Sequence, residues 1–223
     1  MVREVLAKIY EIRVKLSMKI SSDKQNVGQA LKITNLPVVL HSGEVTFREK
    51  NPGKQAKKID YLVYKKFLRI FIKNLQESMK DNLLSVTLYG SVARGSARPE
   101  SDIDLLILYR KGEIDVDNVY VNSALQSDES QEYQRLYNNG IYGEISPLFM
   151  TLAEIRNNPL ILLDMMEEGI LLFEQDKCFT DLLEKMRIET KKLGSRKVNL
   201  PDGSWYWELK PSWQPGELIE VAL

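Results

Sequence analysis

Between Leu88 and Leu108 the chain reads LYGSVARGSARPESDIDLLIL. Gly90 and Ser91 follow an apolar, strand-like run, and after ten residues (92–101) Asp102 and Asp104 open a second one. On a strand, side chains at i and i+2 project from one face, so the two carboxylates point the same way. Close carboxylates disfavour each other's ionised form unless positive charge lies between them, and a hard divalent cation meets that need. The Gly-Ser turn, entering a short helix, offers backbone N–H groups and a hydroxyl suited to phosphate oxygens. A phosphate cradle beside a metal-binding acidic pair suggests nucleotide chemistry. The bland alternative is a surface loop with an accidental acidic pair, and the spacing between two buried-strand patterns weighs against it.

The pattern of Gly-Ser, a spacer near ten residues, then Asp-x-Asp resembles the minimal nucleotidyltransferases of the DNA polymerase β superfamily. Ala93, Arg94 and Gly95 after the turn, and Ser101 before the first aspartate, extend the match. The resemblance covers roughly residues 59–174. It implies an α/β (α+β) nucleotidyltransferase fold: a small mixed, twisted sheet with flanking helices, plus extra helical elements at both ends. It also implies transfer of a nucleoside monophosphate, AMP by family habit, from an NTP to an acceptor hydroxyl by a two-metal mechanism. The runner-up is a nucleotide-binding regulatory or antitoxin module with little turnover. Some relatives adenylylate a tyrosine of a HEPN-domain toxin, while others modify antibiotics or nucleic-acid ends, so the acceptor stays open and a HEPN-type protein is one candidate partner.

Asp102 and Asp104 are the expected metal ligands, with magnesium favoured and manganese as the alternative, because the donors are hard oxygens. Gly90 and Ser91 are expected to hold the β- and γ-phosphates, with Arg94 or Arg98 adding charge and Ser101 a further nucleotide-binding residue. The family places a third acid on a later strand. Here the segment GEISPLFM offers Glu144, where the family more often has Asp, as third ligand and proton acceptor. Alternation puts Glu144, Ser146 and Leu148 on one face. The competing role for Glu144 is an exposed strand residue, and for each arginine a surface salt bridge.

Apolar periodicity predicts a helix over 59–79, with Val63, Phe67, Ile70, Phe71, Leu75 and Met79 as its buried stripe and Lys65, Lys66, Arg69 and Lys73 outward. Strands are expected at 84–89, 103–109, 141–150 and 170–173. Residues 117–137 read as helical, Thr151 with Glu154 as a capping box, and 160–167 and 177–193 as helices. Before this region, helices are expected at 1–20 and 25–33, then a hairpin around Ser42-Gly43 and a linker at Asn51-Pro52-Gly53. The expected division is an extension over 1–53, a catalytic domain over 54–176, and a C-terminal helix with a Trp-rich tail over 177–223. Trp205 and Trp207 could stack on a base or acceptor, but packing of the tail on the core is the stronger expectation. His41 reads as a turn residue.

The 223 residues carry 31 Lys+Arg against 31 Asp+Glu, so net charge gives no argument for nucleic-acid binding. The 43% hydrophobic content suffices for a core, and 28% charged residues argue against membrane burial. The single cysteine, Cys178, excludes an internal disulfide and fits a reducing, cytoplasmic compartment.

Overall fold

The computed structural model describes residues 58–110, 114–157, 159–201, 204–219, 221 and 223, together with the backbone of 38–41 and 44–47. The helices expected at 1–20 and 25–33 and the linker at 51–53 lie outside these residues. The expected hairpin is present: β1 (Val38–His41) runs antiparallel to β2 (Glu44–Phe47), with His41 opposite Glu44.

Helix α1 (Tyr61–Met79) starts where the Asp60 carboxylate accepts the Leu62 N–H at 2.9 Å, an N-cap satisfying one otherwise unpaired donor. Its buried face comprises Tyr64, Phe67, Leu68, Phe71, Ile72, Leu75 and Met79. Val63 and Ile70, expected in that stripe, are half-buried at its margin, and Tyr64 is buried instead. Then come β3 (Leu83–Tyr89), the single-turn helix α2 (Gly90–Ala93) and β4 (Ile103–Tyr109). The segment read as one helix over 117–137 is two, α3 (Val116–Asp128) and α4 (Gln131–Asn138), because the Ser130 hydroxyl accepts the Tyr133 N–H and starts a new helix.

The strand expected over 141–150 is β5 (Ile145–Thr151). Residues 141–144 stay outside the ladder, and the Tyr142 N–H donates instead to Pro99 O at 2.7 Å. The capping box forms as expected. Glu154 Oε2 accepts from the Thr151 N–H and hydroxyl at 2.7 and 2.8 Å, and the Glu154 N–H returns a bond to Thr151 Oγ1, which opens α5 (Leu152–Asn157). Helix α6 (Ile161–Glu168), β6 (Ile170–Glu174), α7 (Cys178–Leu193) and the antiparallel pair β7 (Arg196–Asn199) and β8 (Trp205–Glu208) complete the fold.

The central sheet has the order β5-β4-β3-β6, with β4/β5 parallel and the other pairs antiparallel. This is the mixed α+β sheet with flanking helices that the sequence led us to expect. Alternation splits the core in two. Val86, Leu88, Ile103, Leu105 and Ile107 meet α1 on one face. Leu84, Leu106, Leu108 and Met150 meet α6, α7 and the C-terminal hairpin on the other, where Trp207 and Leu209 pack. Each fully buried leucine or phenylalanine contributes about 1.5–3 kcal/mol. Among the described residues no helix is long and apolar enough to cross a membrane.

Candidate active site

The topology gathers the chemistry at one end of the sheet. Antiparallel β3 and β4 bring the end of β3, with Gly90 just beyond it, to the start of β4, with Tyr89 opposite Asp104. Parallel β5 begins at that same end, with Ile103 opposite Ile145. The Ile103 N–H donates to Glu144 O at 2.7 Å. Extending this register by one residue sets Glu144 beside Asp102, both on the opposite side from buried Ile103 and Ile145. Asp104 and Ser146 are partners on that same side.

Gly90 has φ +73°, a conformation that favours glycine, and its Cα lies directly against Asp104. An added Cβ would overlap Asp104 Oδ2 and stand 3.1 Å from Asp104 Cγ. The turn after it is tied internally: the Arg94 N–H donates to Gly90 O at 3.1 Å and the Ser96 N–H to Ser91 O at 2.9 Å. Ser101 closes the next turn, its hydroxyl accepting the Arg98 N–H at 2.9 Å. Burial, then the neighbouring Asp102 charge, raises the Asp104 carboxyl above its ordinary range, while Arg94 pulls it down. Among the described residues no three His, Cys, Asp or Glu side chains converge on one ion-sized space; the acidic pair itself has the hard-oxygen chemistry of a magnesium ligand set.

Two contacts support the site from elements distant in the chain, and only the packing of the second is expected from the sequence. Tyr64, fully buried, carries its hydroxyl up against Gly143, where a Cβ would stand 2.5 Å from Tyr64 Oη and 2.8 Å from Ser101 O. Gly143 is thus a close-approach glycine that brings the start of β5 onto the Ser101–Asp102 turn. Burial pushes the Tyr64 hydroxyl up to about 12; the Gly143 backbone opposes the rise, and the charges of Asp102 and Glu100 add to it. An isolated tyrosine in an amphipathic helix gave no sign of this. The second support is the C-terminal hairpin. Arg94, expected to face phosphate, donates from Nη1 to Glu168 Oε2 at 2.9 Å, and its guanidinium carbon lies 5.0 Å from the Trp205 ring centroid. Lys197 Nζ lies 4.6 Å from the same ring and 2.9 Å from both Glu167 Oε2 and Glu168 Oε1.

The sheet end joins a glycine turn to paired aspartates, and comparison with known proteins gives the family. The profile of the nucleotidyltransferase domain family matches residues 65–200, more than half of the chain, which belongs to that family. A Methanocaldococcus jannaschii protein named as a putative protein adenylyltransferase is 29% identical over 131 residues, covering 55% of this chain and 80% of the relative. Spectinomycin adenyltransferase from Enterococcus faecialis, solved with ATP and spectinomycin, is 12% identical with a TM-score of 0.37, covering 58% of this chain and 66% of that one. A chain from the complex of tri-AMPylated Shewanella oneidensis HEPN toxin with MNT antitoxin is 14% identical with a TM-score of 0.33, covering 58% of this chain and 87% of that one. At these TM-scores neither structural likeness bears on function.

Proposed function

We propose that this nucleotidyltransferase moves a nucleoside monophosphate, AMP first, from an NTP to an acceptor hydroxyl and releases pyrophosphate. The observation that carries this is the contact of Gly90 with Asp104, which joins the phosphate turn to the acidic pair with no side chain between them. In this reading the backbone N–H groups at Gly90 and Ser91, with the Ser91 hydroxyl, hold the outer phosphates, and Arg94 adds charge. Ser101 braces the loop that carries Asp102. Asp102 and Asp104 would hold magnesium, or manganese in its place, and a bound cation would supply positive charge for the phosphates and the attacking oxygen. The acceptor oxygen bonds to the α-phosphorus, the bond to the bridging oxygen breaks, and the hydroxyl proton passes to Glu144.

A protein tyrosine is the first acceptor to test, because the Methanocaldococcus jannaschii relative is named as a protein adenylyltransferase. A HEPN-type protein is the first partner by family resemblance. A second reading, a nucleotide-binding regulatory module, draws on Glu144, which stands exposed one residue before β5 rather than within it.

Pyrophosphate release with magnesium, each NTP and candidate acceptors tests the proposal in wild type, Asp102→Asn and Asp104→Asn, with thermal midpoints measured alongside. Both variants should fold and fall to background. Turnover retained in both would exclude the acidic pair as the metal site. Glu144→Gln should keep NTP affinity and lose roughly a hundredfold in rate, the scale of general-base help. Equal NTP binding with no pyrophosphate from wild type or variant would favour the regulatory module.

A further inference from the structure

We infer that Trp205 is a positioning residue of the nucleotide site, its indole face holding the Arg94 guanidinium ready for the triphosphate. This rests on the reading of the Gly90–Asp104 end of the sheet as an NTP site. Arg94 leaves the main chain at the close of the phosphate turn, as the residue that ends α2. Trp205 comes from the far end of the sequence, on β8. Its own ring is fixed: Trp205 Nε1 lies 3.5 Å from Asp164 Oδ1, and neighbouring Trp207 donates to the same oxygen at 3.1 Å. Trp207 and Leu209 are set in the second core, which seats the hairpin against α6. A cation over an indole face is attracted by the ring quadrupole while its N–H edge stays free to bond.

The charges around this ring are arranged for exchange. Glu168 accepts from Arg94 on Oε2 and from Lys197 on Oε1, both at 2.9 Å, and the Glu168 and Lys197 side chains are each only 17% exposed. Losing its sole partner would strand a largely buried carboxylate at high cost. With Lys197 in place, Arg94 can turn its N–H groups from Glu168 to a phosphate oxygen and leave Glu168 still paired. Glu167 gives Lys197 a second carboxylate, so the lysine keeps its place throughout. The indole plane holds the guanidinium while the anion it serves changes. Lys197 is the second partner that makes the change inexpensive.

The test uses the full chain, Trp205→Leu and Trp205→Phe, each also in an Arg94→Gln background. Affinity for magnesium with a non-hydrolysable ATP analogue is measured together with KM, kcat and thermal midpoint. Loss of the aromatic face should weaken analogue binding and raise the KM for NTP about tenfold with kcat within about twofold, the pattern of a lost uniform binding contact. Phenylalanine should restore most of the affinity, and leucine should add nothing once Arg94 is Gln. A merely structural role would lower the midpoint without the phenylalanine rescue or the Arg94 dependence, and would overturn the inference. Leucine affinity equal to wild type would overturn it too. Should the leucine variant fail to fold, the wild-type Arg94 Nε–Hε resonance decides: it should move on titration with the magnesium-bound analogue, and an unmoved signal contradicts the inference. Failure of wild type to bind any NTP would overturn both the site reading and this one; normal wild-type binding with an indifferent Trp205 overturns this one alone.

Discussion

Gly90 meets two demands at one position, a left-handed backbone and a carboxylate packed on its Cα. Gly90→Ala therefore strains the turn by about 1–2 kcal/mol and pushes Asp104 away. The variant should fold with a midpoint lower by several degrees and bind NTP at least about tenfold more weakly. Unchanged affinity by titration calorimetry would contradict the close contact. Glu168 supplies a pH test. Burial works to raise its carboxyl, but hydrogen bonds and charge from Arg94 and Lys197 together hold it below its ordinary value of 4.5. A depressed carboxyl contributes stability that is full above its unfolded pKa and is lost as pH falls through its folded one. Wild type should thus lose more thermal midpoint than Glu168→Gln as pH falls from about 5 to 3, and equal slopes would dissociate Glu168 from the network. Asp102, Asp104, Gly90 and Ser91 were legible in the sequence because their spacing is local. Tyr64 and Gly143 were not, nor was the contact of Trp205 with Arg94, because these depend on partners far away along the chain.

At the scale of elements, caps explain both what was read correctly and what was missed. Thr151 with Glu154 is a sequence-local signal, and the structure realises it. The start of α7 is held differently: Glu174, at the end of β6, accepts the N–H groups of Phe179 and Thr180 at 2.9 and 2.7 Å and the Thr180 hydroxyl at 2.8 Å. Nothing in the KCFT segment announces that cap, since the acceptor belongs to the preceding strand. Glu174→Ala should cost about 1 kcal/mol, the usual worth of an N-cap, and leave NTP affinity within about twofold, as shown by chemical denaturation and titration. A loss of affinity would mean that α7 shapes the site more than its place behind the sheet implies. The strands β3 and β4 stood out as apolar runs. Polar Arg196–Asn199 gave no strand signal, and only pairing with the aromatic β8 makes it one. The late start of β5 was likewise hidden, because Pro99 and Tyr64, distant in sequence, decide it.

For the whole molecule, the sheet divides labour between its faces. Helix α1 seals one face, while α6, α7 and the terminal hairpin cover part of the other. The mixed strand order is what sets three separate segments, at residues 90–94, 102–104 and 144, around one end. The balanced charge, 31 against 31, leaves recognition to local groups rather than to an overall field. In the proposed reaction the α-phosphoryl group, with its nucleoside, is what moves. Parallel reactions with α-labelled and γ-labelled ATP, magnesium and a cell extract, run with wild type and Asp104→Asn, test it most directly. Label from the α-position should appear on an acceptor and γ-label only in pyrophosphate, both lost in Asp104→Asn. Transfer of the γ-label to an acceptor, or α-label transfer undiminished in the variant, would contradict it.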